Sequence, residues 1–213
     1  MRAFLDKGAR FLEIPLDIGP RALVALAALL LIPCYLAPLW NMTMFAPQYP
    51  GGLRLDIYSW KLEGGNGGQD VKEINLLNHY IGMRDLVAAD FTEFQWMPFV
   101  VGGMGLLFLR AAAFGKTGNV VDVLVMYAYF SVFSLWSFAY KLYSYGHELA
   151  PTAAVKVASF MPPMFGRRQL ANFEVYSYPG PASYALGAVP LVLLAAIWLA
   201  WRDGRPAPRG RAA

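Results

Sequence analysis

Cysteine and charge are both scarce in this chain. Cys34 is the single cysteine among 213 residues, which excludes an internal disulfide and any Cys-x-x-Cys redox or zinc pair. Charged residues make up 15% of the sequence, whereas soluble domains hold about a quarter. Together with a hydrophobic content of 57%, this scarcity of charge predicts a protein embedded in a lipid bilayer.

Several catalytic and binding patterns are also missing. The glycine-rich run at 64–69, GGNGGQ, lacks the lysine of a phosphate-binding loop, and no serine stands in a nucleophile elbow. No pair of histidines stands on facing spans, where it could ligate haem. The net charge of +4 is interpreted through the position of Lys and Arg relative to the bilayer. We therefore predict a protein that is not an enzyme and that has no nucleic-acid partner.

Four apolar runs are long enough to cross a hydrocarbon core of about 30 Å as helices that rise about 1.5 Å per residue. They are 21–40, 94–114, 119–146 and 184–201. Residues 1–20 mix apolar and basic side chains, which predicts a helix in the cytoplasmic interface. Residues 202–213 form a basic cytoplasmic tail. The predicted fold class is an all-α membrane protein, a four-helix transmembrane bundle with a small mixed α/β extracytoplasmic cap.

The basic residues indicate the orientation of the spans, because Lys and Arg favour the cytoplasmic side. They precede the first span, flank the short turn between the second and third, and follow the last. The members are Arg2, Lys7, Arg10, Arg21, Arg110, Lys116, Arg202, Arg205, Arg209 and Arg211. Both termini are thus predicted to face the cytoplasm of a bacterial inner membrane. The segments 41–93 and 147–183 then lie outside. The first contains an alternating strand at 53–60, and the second, rich in proline, is expected to be an extended loop.

One acidic residue falls within a predicted span. Asp122 lies near the start of the third span, where a carboxylate is costly unless it is paired or reaches the headgroups. Arg110, across the short turn, is its expected partner. We interpret this pair as structural.

The stretch at 70–83, DVKEINLLNHYIGM, carries the clearest helix signals of the outer segments. Asp70 followed by Glu73 is typical of a capping box, and apolar residues at helical spacing follow. Gly82 indicates the end of the helix. A second face carries polar and sulfur side chains at four-residue intervals. That face consists of Asn75, His79 and Met83.

Histidine and methionine are concentrated in the predicted outer segments, where imidazole and thioether groups would suit copper, especially Cu(I). Thioethers also survive oxidising surroundings better than free thiols. His79 and Met83 stand one helical turn apart, so both side chains could reach one ion. The predicted copper ligands are His79, Met83, His147, Met42 and Met44.

Other interpretations stay open at this point. Methionine also fills irregular apolar gaps, and a histidine on a helix is commonly a hydrogen-bonded structural residue. His147 and Glu148 near Lys141, with Tyr140 and Tyr143 as aromatic walls, would instead suit a quinol site. The same residues also fit an aromatic belt with a snorkelling lysine.

The run at 49–83, which begins YPGGLRLDIYSWKLEGG and ends DVKEINLLNHYIGM, resembles a segment of membrane proteins from bacterial nitrous-oxide reductase clusters. The Pro-Pro loop and the ANF run at 171–173 extend the resemblance. It implies a copper-containing, periplasmic setting and a role in copper delivery or reductase maturation. The soluble copper-carrying lipoprotein of such clusters would show a lipobox cysteine and a Cys-Gly-Met motif, and this chain has neither.

These observations predict an integral membrane accessory protein that handles copper at the periplasmic face for a metalloenzyme such as nitrous-oxide reductase. Its expected partners are the lipid bilayer and a membrane or periplasmic protein. The alternative is a non-catalytic structural or assembly subunit of a respiratory electron-transfer complex, with or without a link to quinol.

Overall fold

Five β-strands form one antiparallel sheet in the computed structural model, which describes residues 2–170 and 173–203. The all-α prediction is therefore wrong, and the fold is mixed α/β. The strand order across the sheet is β3-β2-β1-β5-β4. The strands are β1 (Trp40–Ala46), β2 (Tyr49–Ile57), β3 (Leu62–Gly64), β4 (Gly166–Leu170) and β5 (Phe173–Pro179).

Two neighbouring strands, β1 and β5, account for the error. β1 directly follows the kinked end of an apolar run, and the predicted span 21–40 includes its first residue. β5 lies in the proline-rich segment for which a loop is expected. Its prolines, however, stand at or beyond strand ends, where the missing N–H breaks no ladder. The inward residues Phe173, Val175 and Ser177 alternate as a half-buried strand requires.

Seven α-helices accompany the sheet in the described part of the chain. They are α1 (Arg2–Leu12), α2 (Ile18–Leu29), α3 (Pro33–Leu36), α4 (Gln69–Ile81), α5 (Glu93–Phe114), α6 (Thr117–His147) and α7 (Pro181–Asp203). Four helical segments are long and apolar enough to cross a membrane: Ile18–Leu36, α5, α6 and α7. The predicted tail lies outside the described residues from Gly204 onward, as do Ala171 and Asn172 of the ANF run.

The chain divides into two compact units. The first takes in the described residues of Met1–Ile32, Val100–Phe130 and Ala185–Ala213. Its core is apolar, and among its fully buried side chains are Val24, Phe108, Val120, Val189 and Leu193. The C-terminal end of α5, the N-terminal end of α6 and the short turn between them all belong to this unit.

That turn is fixed by the linker that follows α1. Pro15 and Lys116 form an isolated antiparallel bridge, and the buried Thr117 donates its hydroxyl to the Ile14 carbonyl oxygen at 2.9 Å. Arg21 donates from Nε to the Ala112 carbonyl oxygen at 2.7 Å. Its guanidinium thereby satisfies a carbonyl in the last turn of α5 that has no partner within the helix.

The second unit takes in the described residues of Pro33–Phe99 and Ser131–Tyr184 and contains the whole sheet. One face of α4 packs on one face of the sheet, and together they enclose an apolar cluster. Its buried members are Met42, Ala46, Leu53, Leu55, Ile74, Ile81, Leu170, Phe173 and Val175. The opposite face of the sheet carries polar side chains that hydrogen-bond to one another. Asn41, for example, donates its side-chain amide to the Asp56 carboxylate.

Candidate functional site

The first turn of α4 is tied to the sheet rather than capped by its own side chains. Asp70 accepts the backbone N–H of Arg54 at 2.8 Å and the side-chain amide of Asn66 at 2.7 Å. The predicted capping box is therefore absent, and the N-cap is Gly68 with no side-chain hydrogen bond. Tyr49 of β2 donates its hydroxyl to Glu73. This hydrogen bond, which the Glu73 carboxylate accepts, is the main cause that raises the pKa of Tyr49.

Asn75 holds the loop that leaves α4. Its Oδ1 accepts the Leu86 N–H at 2.7 Å, and its Nδ2 donates to the Leu86 carbonyl oxygen at 3.4 Å. The first distance is typical of a strong hydrogen bond, and the second is longer than the usual range. The sequence predicts that Asn75 shares a ligand-bearing face with His79 and Met83, but its side chain is used to fix the backbone of the return loop.

The C-terminus of α4 is a Schellman motif. Gly82 has φ 80 and a left-handed conformation, its N–H donates to the His79 carbonyl oxygen at 3.2 Å, and the Met83 N–H donates to the Asn78 carbonyl oxygen at 2.8 Å. The chain therefore turns back at Gly82, so Met83 does not continue the helical face that carries His79. The helical spacing argument for a shared ion does not apply to this pair.

The three predicted methionine ligands come together in the core of the second unit. Met42 is 4% exposed and belongs to the apolar cluster between α4 and the sheet, while Met44 and Met83 are partly buried and pack against it. Unbranched thioether side chains commonly fill such irregular spaces. The structure thus places all three sulfur side chains where they complete hydrophobic packing.

His79 lies on the exposed surface of α4. It is five residues after Ile74, and at 100° per residue it stands about 140° around the helix from that core residue. The imidazole therefore projects away from the apolar cluster that contains Met42. The donor set of imidazole and thioethers predicted for one copper ion does not fit as one site in this structure.

His147 is the last residue of α6 and is half-buried. Its ring stacks on Tyr143 with a centroid separation of 3.8 Å, and its Nδ1 lies 2.9 Å from the Tyr143 carbonyl oxygen. The other ring nitrogen is not part of these contacts. Within residues 2–170 and 173–203, no three side chains drawn from His, Cys, Asp and Glu form a group that could hold a metal ion.

A polar cluster stands beside His147 at the end of α6. Arg84 donates to the Ser144 hydroxyl at 2.6 Å, and Ser144 donates to Glu148 at 2.9 Å. Arg84 also lies 3.4 Å from the Glu148 carboxylate and 5.0 Å from the centroid of the Tyr145 ring. Glu148 is thus neutralised by Arg84 and contributes to holding the loop after α4 against α6.

The lysine considered for a quinol site is engaged elsewhere. Lys141 donates to the Asp90 carbonyl oxygen at 2.8 Å, lies 3.9 Å from Glu93, and stands 5.2 Å from the centroid of the Phe91 ring. Asp90 and Phe91 directly precede α5 and Glu93 begins it. Glu148 instead contacts Ser144 of α6 and Arg84, which lies shortly after α4. The predicted grouping of Lys141 with Glu148 is therefore not formed.

The segment after α6 runs along the end of α4. The Ala150 N–H donates to the Gly82 carbonyl oxygen at 2.7 Å, and the Val155 N–H donates to the Tyr80 carbonyl oxygen at 3.0 Å. The chain regions that carry the two histidines are thereby brought to the same end of α4. This proximity is the part of the predicted constellation that the fold assembles.

A surface that the sequence analysis missed surrounds His79. Leu76 is 64% exposed and Tyr80 is 58% exposed, and they lie on the face of α4 that points away from the sheet. Val155, whose N–H donates to the Tyr80 carbonyl oxygen, is also exposed. We call Leu76, His79, Tyr80 and Val155 the α4 surface patch. The signal was present in the sequence, since Leu76 and Tyr80 fall outside the apolar stripe that forms the core.

In comparisons with known proteins, no family model, curated protein or solved structure matches the chain. The resemblance to accessory proteins of nitrous-oxide reductase clusters therefore stays a prediction. The geometry of the α4 surface patch is the basis for a functional assignment.

Proposed function

We propose that this chain is a non-enzymatic accessory membrane protein that binds a membrane or periplasmic protein partner through the α4 surface patch. The observation that carries the proposal is the exposure of Leu76 and Tyr80 on a helix that is not one of the candidate spans. An exposed apolar patch outside the bilayer is typical of a protein-binding surface. Tyrosine, which this patch contains, is among the residues enriched at binding hot spots.

The proposed location is a bacterial inner membrane, with both termini in the cytoplasm and α4 on the periplasmic side. The distribution of Lys and Arg along the sequence supports this orientation. The partner would then be a periplasmic metalloenzyme, or the outer part of a respiratory complex, that needs a membrane-bound factor for its assembly.

Copper handling is a second candidate function, with His79 alone of the five predicted ligands. His79 stands inside the α4 surface patch, so a partner that covers Leu76 and Tyr80 would also meet this imidazole. A transferred ion needs an accessible ligand, and buried Met42 does not offer one. In this version the isolated chain holds the ion weakly through His79, with solvent completing the coordination, and the partner supplies further protein ligands when it binds.

Site-specific photocrosslinking tests the partner proposal. A benzophenone side chain placed at position 76 or 80 should form adducts with one metalloenzyme or respiratory subunit, identified by mass spectrometry of the adduct. The same probe at Gln169, an exposed position in β4, is the matched control. Equal adducts from all three positions, or adducts from position 169 alone, would contradict the proposal.

Metal analysis of the purified chain tests the copper proposal separately. We expect Cu(I) bound under reducing conditions to fall to background in His79→Ala, because the imidazole is the accessible ligand. Met83→Leu should retain copper, since that side chain packs in the core. Binding unchanged by His79→Ala would exclude the copper proposal and leave the partner proposal standing.

A further inference from the structure

A shallow cleft lies in the first unit between the C-terminal part of α5 and the N-terminal part of α6. Its walls include polar and apolar side chains in comparable numbers. Among the lining residues are Leu107, Arg110, Ala111, Asn119, Asp122 and Met126. Both helices are candidate membrane spans, so embedding in a bilayer would bring lipid to this cleft.

Arg110 reaches this cleft without an acidic protein partner. The expected ion pair with Asp122 is not among those formed in residues 2–170 and 173–203. Instead, the guanidinium carbon lies 5.2 Å from the centroid of the Phe114 ring. A guanidinium that stacks on an aromatic ring keeps its in-plane N–H groups available. A cation one turn from the end of a membrane-spanning helix requires an anion or water there.

Asp122 lines the same cleft from the other helix and is exposed. In the described part of the chain its carboxylate takes part in no hydrogen bond or ion pair. Asn119, one turn earlier on α6, adds an amide that can donate or accept. The cleft therefore presents one positive and one negative group, neither of them neutralised by protein, with a neutral polar group beside them.

The apolar lining lies deeper along the two helices. α5 and α6 are antiparallel and are joined at Gly115 and Lys116, so positions farther from that turn lie farther from the membrane surface. Leu107 on α5 and Met126 on α6 are the lining residues farthest from the turn. In a bilayer the polar groups would thus lie nearer the headgroups and the apolar ones nearer the acyl chains.

We propose that this cleft binds a phospholipid whose headgroup carries both a phosphate and a primary ammonium, as phosphatidylethanolamine does. Arg110 donates to the phosphate oxygens in the forked geometry that suits guanidinium. Asp122 accepts N–H hydrogen bonds from the ammonium, and Leu107 and Met126 contact an acyl chain. This inference depends on lipid embedding alone and is independent of the proposed function.

The two charges select among common phospholipids. Phosphatidylglycerol offers a phosphate but no cation, so Asp122 would repel it. Phosphatidylcholine offers a cation whose methyl groups cannot donate N–H hydrogen bonds to the Asp122 carboxylate. Phosphatidylethanolamine alone among the three satisfies both groups at once.

Native mass spectrometry of the delipidated full chain in detergent tests the proposal, with dioleoyl phosphatidylethanolamine, phosphatidylcholine and phosphatidylglycerol as separate probes. We expect the ethanolamine lipid to bind at least about 5-fold more tightly than the other two, a typical margin for one charge-assisted hydrogen bond at a partly exposed site. Arg110→Gln should weaken all three lipids, because each carries a phosphate. Asp122→Asn should reduce ethanolamine binding to the choline level without weakening the glycerol lipid.

Lys116→Gln is the matched control, since Lys116 is an exposed basic residue in the adjoining turn and is not among the residues that line the cleft. It should leave all three affinities unchanged. Equal binding of the three lipids by the wild type, or an ethanolamine preference that survives Asp122→Asn, would overturn the proposal. So would a loss in Lys116→Gln equal to that in Arg110→Gln. Arg110→Lys, which keeps the charge without the forked donors, should retain the preference at lower affinity and serves if Arg110→Gln does not accumulate.

Discussion

At the scale of single residues, Gly146 permits the closest backbone approach on α6. A Cβ atom at this position would lie 1.8 Å from the Phe160 carbonyl oxygen. The Phe160 N–H donates to the Gly146 carbonyl oxygen at 3.0 Å. The loop before β4 therefore lies directly on the backbone of α6, and only glycine leaves room for it.

We accordingly expect Gly146→Ala to reduce the amount of folded protein severely, because the obstructing atom belongs to backbone and cannot rotate away. Gly187→Ala is the matched control, since that glycine lies in α7, where an added Cβ atom would meet nothing within 4 Å. The control should be neutral or slightly stabilising. Size-exclusion profiles and thermal unfolding in detergent measure both. Equal stability of the two variants would contradict the assigned contact.

The candidate site was predictable from sequence only in part. Asn75, His79 and Met83 share four-residue spacing, yet each has a different use. Asn75 fixes Leu86, Met83 enters the core after the turn at Gly82, and His79 alone is left on the surface. Spacing reports which side chains could share a helical face, but it cannot report tertiary hydrogen bonds or the direction of the chain after a left-handed residue.

At the scale of elements, α4 is held on the sheet by acidic side chains at its start and by backbone hydrogen bonds at its end. Asp70 and Glu73 reach β2 through Arg54 and Tyr49. At the other end of α4, the Ala150 N–H donates to the Gly82 carbonyl oxygen. The α4 surface patch is therefore presented by a helix fixed at both ends.

The hydrogen bond from Tyr49 to Glu73 gives this attachment a pH dependence. Because the pKa of Tyr49 is raised in the folded state, the stabilisation is complete below about pH 10, the reference tyrosine value, and is lost as the pH rises through the folded-state pKa. Tyr49→Phe should lower the melting temperature at pH 8 and make progressively less difference above about pH 10.

Thermal unfolding in detergent at pH 8, 9.5 and 11 provides the measurement. Tyr178→Phe is the control, because this exposed tyrosine of β5 donates no hydroxyl hydrogen bond to the described residues. A Tyr49→Phe difference of constant size across the range would mean that the hydroxyl is not the source of the effect.

Arg21 plays the corresponding part at the end of α5. Its guanidinium donates to the Ala112 and Ala113 carbonyl oxygens, which otherwise lack helical partners. We expect Arg21→Leu to lower the free energy of unfolding by about 1–3 kcal/mol, the cost of charge-assisted hydrogen bonds to backbone. Arg21→Lys should lose less of this free energy than Arg21→Leu, because lysine keeps the charge but lacks the forked donors of the guanidinium. If denaturation in detergent showed the same free energy of unfolding for Arg21→Leu and wild type, the capping role would be contradicted.

The helical elements were easier to anticipate than the sheet. Long apolar runs mark α5, α6 and α7 by composition alone. β1 and β5 are short, carry mixed side chains, and acquire their stability from each other across the sheet. A pairing between segments so far apart in sequence leaves no local signal, which explains why the proline-rich segment reads as a loop in the sequence.

At the scale of the whole molecule, the orientation in the membrane is the property most directly open to test. In a Cys34→Ser background, a cysteine at Gln69 should react with an impermeant reagent on intact spheroplasts, and one at Lys7 should not. Both positions are exposed. Gln69 is preferred over Asn66, whose φ of 51 is left-handed and would strain a cysteine. Labelling of Lys7→Cys alone would reverse the proposed orientation.

The pairing of β1 with β5 sets an order for biosynthesis. Residues 40–64 can form a three-stranded meander as soon as they emerge, with one edge of β1 still open. Its remaining partner, which begins at Phe173, is synthesised on the order of 10 s later at typical translation rates. Throughout that interval the open edge is a template for pairing with any other extended chain. A nascent copy would thus depend on chaperones or rapid elongation, and slow codons between the two strands should increase aggregation without altering the finished protein.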